Sequence, residues 1–182
     1  RTGAVADKRT LTPDMSGDVG LNEYIQAVNL NLSLYDKFVG GAPLYTTDFD
    51  TFFDATVLNG SLDGIATCDG FNQGQPQVFF DHMAGRWLIT DVAYDDIDNG
   101  PYYQCIAVSR QPLDPLVDPF AVVNLPAYWS QWAIEIHPTY LHDLPKFGVW
   151  PDGYYMAADL YDVWNNGLHR TPKGVAVWVF NR

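Results

Sequence analysis

A hairpin signal that returns three times constrains this chain more than any other feature of it. The pattern is a small or acidic residue, an apolar pair, an Asn or Asp turn, and a strand led by an aromatic residue. It occupies residues 17–26, where Gly17, Asp18 and Asn22 precede Tyr24. It returns at residues 78–89, where Asp81 and Gly85 precede Trp87, and at residues 147–156, where Asp152 and Gly153 precede Tyr154. A further strand-like run follows each copy, at 32–37, 105–110 and 175–180. Units that recur about every 65 residues and contain only strands predict an all-β, β-propeller-like chain of about three blades of antiparallel strands. Closed propellers typically hold about four to eight blades. Three therefore imply a partial propeller or a fragment of one, whose open sheet edges would be covered by the remaining blades of the parent chain or by other copies of itself. A β-sandwich with a loose repeat is the alternative fold.

No Gly/Ser or proline-rich linker divides the chain, so residues 1–182 read as a single domain or a fragment of one, with 1–16 as an extended polar tail. At 47% hydrophobic content the chain can bury a core, and 15% aromatic against 18% charged residues suits a β-rich protein. Ten basic residues against 22 acidic ones give a net charge of −12, which repels phosphates and argues against a nucleic-acid partner. No apolar run of about 18 residues exists, so membrane insertion by a helix is not expected. The chain opens at Arg1 without Met, which reads as a mature or trimmed product or as a piece of a longer chain. Its two cysteines, Cys68 and Cys105, either join, constraining the unfolded chain by about 4 kcal/mol on the loop-entropy model, or remain buried thiols. Asn31 and Asn59 open N-x-S sequons that would permit glycosylation.

Along the chain, period-two alternation marks strands over 24–28 and 30–35, and Gly40-Gly41 supplies a turn before 44–47. Residues 48–75, rich in Asp and Gly, read as a long polar connection with a short helical turn over 50–58. The clearest hairpin joins 77–80 to 87–94 through a tip containing Gly85. Residues 112–119 carry three prolines that no central strand would tolerate. A strand is expected over 128–136.

Residues 13–29, the run Leu34-Tyr35-Asp36-Lys37, residues 80–88 and residues 145–156 resemble a family of secreted, mostly bacterial β-propeller-like proteins of largely unassigned function. The resemblance spans most of the chain. It implies an extracellular or secreted setting, often as one module of a large multidomain protein, and it transfers no catalytic motif. Leu21 stands where such sequences often carry proline, which loosens that turn.

Four clusters stand out. Asp95, Asp96 and Asp98 before Gly100 crowd oxygen ligands on a tight turn, as a hard cation prefers. An EF-hand would need oxygen donors where Ile97 and Ile106 stand, so an irregular calcium site is the one cofactor the pattern admits, against a plain solvated turn; Asp14 and Asp18 form a second acidic turn. Residues 61–64 nearly match an Asp-box turn, with the glycine one position early. Trp129, Trp132, Tyr140 and His142, near Glu135 and His137, suggest a carbohydrate platform in which flat rings stack on sugars and polar tips bond hydroxyls; the competing reading is core tryptophans beside a surface loop. Five-residue spacing between His137 and His142, with Pro138 between, disfavours zinc. Serine-hydrolase, zinc-protease, phosphate-loop and dinucleotide motifs are missing. The expectation is an extracellular binding or structural module that contacts glycan or protein partners within a larger assembly. Its alternative is part of a polysaccharide-active enzyme with Glu135, His137 and His142 as weak catalytic candidates.

Overall fold

The computed structural model describes residues 13–54, 67–113 and 128–182. These residues form three antiparallel sheets, each a meander in chain order. The first holds β1 (Met15–Val19), β2 (Glu23–Val28), β3 (Asn31–Asp36) and β4 (Tyr45–Asp48), and one helical turn, α1 (Phe49–Phe52), follows it. The second holds β5 (Asn72–Asp81), β6 (Arg86–Ala93), β7 (Tyr102–Ser109) and β8 (Trp129–His137). The third holds β9 (Leu141–Trp150), β10 (Gly153–Trp164) and β11 (His169–Asn181).

The thrice-returning hairpin is the opening pair of each sheet: β1–β2, β5–β6 and β9–β10. The run that follows each copy is the third strand: β3, β7 and β11. The all-β expectation holds. Strand limits differ in places. β5 begins at Asn72, inside the stretch read as a polar connection, because a register irregularity around Gly74 breaks the alternation that would have revealed it. Residues 137–142, read as a surface loop, close into a turn and enter β9, which buries His142. The Asp-box-like residues 61–64, Asn59 and most of the proline-rich stretch lie outside the described residues.

The turns share one local device. Asp36, Asp81 and Asp96 each sit four residues before a glycine of positive φ: Gly40 (64°), Gly85 (65°) and Gly100 (61°). In all three the glycine N–H donates to the aspartate carbonyl, at 3.4, 2.7 and 2.9 Å. The aspartate side chain accepts from backbone N–H groups inside the loop, as Asp81 does from Met83 at 2.9 Å and Ala84 at 3.1 Å. Aspartate satisfies the donors that the reversal frees, and glycine takes the left-handed conformation without a Cβ clash.

The second sheet is the middle layer. On one face Val78, Trp87, Ile89, Ala107 and Trp129 join Ile25, Leu34 and Phe52 of the first sheet and helix. On the other, Leu88 and Ile106 meet Tyr154, Phe147 and Phe180 of the third. Burial on both faces explains why seven of the eight residues of β6 are buried, while β2 alternates. The opening strands of the three sheets adjoin one another. Ser16 Oγ and Asp18 Oδ2 of β1 accept from Val78 N and Phe80 N of β5, each at 2.9 Å, so side chains at alternate positions of one edge satisfy the next. On the other side Gln75 Oε1 accepts from Leu144 N of β9 at 2.7 Å. Deeper in, Trp87 Nε1 donates to the buried carboxylate of Glu23 at 2.5 Å, tying the first two sheets together.

Candidate functional site

Between the second and third sheets, toward their outer strands β8 and β11, lies a cleft of about 460 Å³. Its walls are apolar: Ile106, Val108 and Ile134 from one sheet, Phe180 and the Tyr154 ring from the other. Alternation along β8 decides which tryptophan reaches it. Trp129 faces the first sheet, 2% exposed and edge-on to Phe52 at 5.2 Å, whereas Trp132 lines the cleft and is 46% exposed.

One end of the cleft is positively charged. Arg86 opens β6, Arg110 follows β7 and Arg182 follows β11. The pairings Asp81–Arg86, Ser109–Trp129 and Gly153–Asn181 bring all three to the same end of the two sheets. Asp81, whose side chain is fully buried, balances one of them. Its carboxylate takes Arg182 Nε at 2.9 Å and Nη2 at 3.1 Å, and it accepts from the Tyr154 hydroxyl at 3.2 Å. Burial, with the Asp81 carboxylate beside it, pushes the Tyr154 phenol up to about 12, so it remains a donor. Arg110 donates to Ser130 Oγ at 3.3 Å, and among the described residues neither Arg110 nor Arg86 has a carboxylate partner. Among the described residues, Arg86 and Arg110 therefore stand without a carboxylate partner at the mouth of an apolar cleft, on a chain whose net charge is −12.

The residues singled out from sequence are dispersed. Glu135 is exposed on β8. His137 stacks on Tyr140 with ring centroids 4.5 Å apart, and its Nδ1 accepts from Thr139 N and Tyr140 N, which closes the turn into β9. Lys173 Nζ lies 5.4 Å from the Tyr140 ring, so that ring is already engaged. His142 is fully buried, with Nε2 3.2 Å from Gln104 Oε1. Gln104 Nε2 donates to the Asp91 carbonyl at 2.8 Å, which turns its oxygen toward the imidazole and makes Nε2 the protonated nitrogen. Burial holds the His142 pKa down to about 4. Of the proposed platform, only Trp132 belongs to the cleft. Asn31 starts β3, half-buried. Cys68 and Cys105 are joined in a disulfide within the first core.

The acidic turn is occupied by its own chain. Asp96 accepts from Asp98 N at 2.8 Å and Asn99 Nδ2 at 2.7 Å, bonds that hold its carboxyl below the usual range. Asp98 reaches across to the β10–β11 turn, accepting from Asn166 N at 2.7 Å and Gly167 N at 3.0 Å; Asp95 is exposed. Among the described residues no group of three or more His, Cys, Asp or Glu is placed to hold a metal ion. Asp98→Ala should therefore cost about 1 kcal/mol in urea unfolding, by removing two hydrogen bonds to the β10–β11 turn. The loss should be equal with and without millimolar calcium; a calcium-dependent loss would return the cation to this turn.

The arginines carry no local motif. They stand 24 and 72 residues apart, and the one signal in the sequence is scarcity, since only ten basic residues exist. The chain matches no protein-family model, no curated protein and no solved structure.

Proposed function

We propose that this chain is a binding module of an extracellular, β-propeller-like assembly and that its cleft takes a segment of a protein partner. The cleft between the second and third sheets carries this reading: its volume falls within the range of ligand sites, about 300–1,000 Å³, and an apolar wall with few polar groups is the usual composition of one. The propeller-like part rests on three consecutive meanders whose opening strands adjoin. The extracellular part rests on the disulfide and on the family resemblance. An apolar lining favours a peptide over a glycan, because sugar hydroxyls buried against Ile and Val would lose their hydrogen bonds to water.

The test is a pair of arrays, one of short peptides and one of glycans, probed with the chain and with Ser130→Trp, which fills the cleft. Peptide capture that this variant loses is the expected result. Capture of nothing, or capture that Ser130→Trp leaves unchanged, overturns the reading. Release of reducing ends from a polysaccharide would replace it with the enzyme alternative.

A second observation favours assembly through the far face of the third sheet. Val175, Val177 and Val179 of β11 alternate on the side away from Phe180 and are 68%, 67% and 56% exposed. A further sheet, from the parent chain or another copy, would bury them. Light scattering should show a mass that rises with concentration and returns to that of a monomer in Val177→Glu; a monomer at every concentration removes this second reading.

A further inference from the structure

We infer that the cleft recognises the carboxyl-terminal end of an apolar peptide, with the free carboxylate at Arg86 and Arg110 and the preceding side chains along the wall. This rests on the cleft being the binding site. The two halves of the cleft ask for different chemistry. Toward the interior, Ile106 and Ile134 face Phe180 and the Tyr154 ring and offer nothing to a charge. At the mouth, two guanidiniums without carboxylate partners among the described residues stand beside Ser130, on elements that begin or end there. Arg182 is already committed to Asp81 and to the Pro151 carbonyl, 3.3 Å away, so it shapes this end and leaves the new anion to the other two. A guanidinium binds a carboxylate through paired N–H donors, so two of them select an anionic head group.

Charge on the rest of the molecule limits how much anion the site can take. The two positive groups are local, while the whole chain carries −12. A densely charged polymer would meet repulsion beyond the cleft, whereas one terminal carboxylate on an apolar chain keeps its charge within reach of the arginines. The walls also fit an extended peptide. Among the described residues β8 and β11 are the outer strands of their sheets, and an outer strand can offer backbone donors and acceptors to an added strand. A short peptide of Val, Ile, Leu or Phe matches that lining in chemistry.

The decisive experiment uses tetrapeptides built from Val, Ile, Leu and Phe, each prepared with a free C-terminal carboxylate and with a C-terminal amide. Affinity is measured by fluorescence polarisation at low and high salt. The carboxylate forms should bind about tenfold or more tightly than the amides, with the advantage shrinking as salt rises. In a variant carrying Arg86→Gln and Arg110→Gln, both exposed, carboxylate binding should fall to the level of the amides while amide binding stays unchanged. Equal binding of the two forms, lost only in Ser130→Trp, would overturn the inference and leave the peptide-binding reading standing. No binding of either form would sink both. A glucuronate-terminated disaccharide that competes as well as the best peptide would overturn the assignment in favour of an acidic glycan.

Discussion

Replacing both cysteines, as Cys68→Ala with Cys105→Ala, is expected to lower the unfolding free energy by about 4 kcal/mol and the melting temperature by about 10 °C. The bond closes a loop of 37 residues, and a cross-link of that span removes conformations from the unfolded chain that the native state never uses. Location adds local organisation to the loop-closure effect. Cys105 lies on β7 opposite Asp91 of β6, and both sulfurs are in the core beneath the first sheet. Cys68 also fixes its surroundings, since its carbonyl accepts from Asn72 Nδ2, and Asn72 in turn bonds Asp50 just beyond β4. The bond therefore ties the start of the second sheet to the middle of that sheet and, through Asn72, to the end of the first. Urea unfolding of the double variant checks this. A loss below about 1 kcal/mol would mean that packing alone organises the segment. Reductant should act slowly on the folded protein, because neither sulfur is exposed, and quickly once urea opens it.

The second large effect is on the acid side. In the unfolded chain His142 titrates near 6.5; in the folded chain burial lowers it to about 4. The folded state thus binds fewer protons between these values. Stability is fully present above about pH 6.5, falls as the pH drops through the window, and has lost about 3 kcal/mol from this one group near pH 4. The structure explains why the imidazole stays neutral. Nε2 meets Gln104, Nδ1 has no partner among the described residues, and a second proton would find no acceptor. Asp143 beside it pulls in the opposite direction and is outweighed by burial.

Asp91 gives the opposite slope. It is fully buried, and burial raises its carboxyl well above the usual range, with Asp50 adding to the shift and the N–H groups of Gly74, Val92 and Gln73 opposing it. A raised carboxyl penalises the folded state at neutral pH and relieves it as the pH falls through its folded value. Two variants separate the slopes. His142→Gln should flatten the loss of stability between pH 6.5 and 4. Asp91→Asn should raise stability at pH 7 and leave the acid-side decline steeper. An unchanged profile in His142→Gln would mean that the acid sensitivity arises elsewhere.

How much was legible in the sequence depended on whether the signal was local. The three hairpins were legible because aspartate, glycine and a leading aromatic are requirements of the turn itself, satisfied within a few residues. The same logic exposes the misplaced start of β5: the irregularity at Gly74 interrupts the alternation, and a chain that departs from period two looks like a loop. The acidic turn at 95–98 was ambiguous for a related reason. Aspartates that accept backbone N–H groups and aspartates that bind a cation have the same local spelling, and only the donors around Asp96 and Asp98 distinguish them.

The site was not legible in that way. Trp129 and Trp132 both looked like platform residues, yet three positions along a strand place them on opposite faces, and which face is open depends on which sheet packs there. His142 looked like a binding residue until β9 carried it between two sheets. The sequence by itself determined the strand-dominated composition, the turns and the recurring hairpins, because those follow from steric preference and hydrogen bonding within a few residues. The tertiary structure alone decided that the second sheet is covered on both sides, that three distant arginines meet at one end of a cleft, and that two titratable groups are stripped of water. Burial and charge convergence are sums over segments far apart in the chain, so they have no value until the sheets are packed.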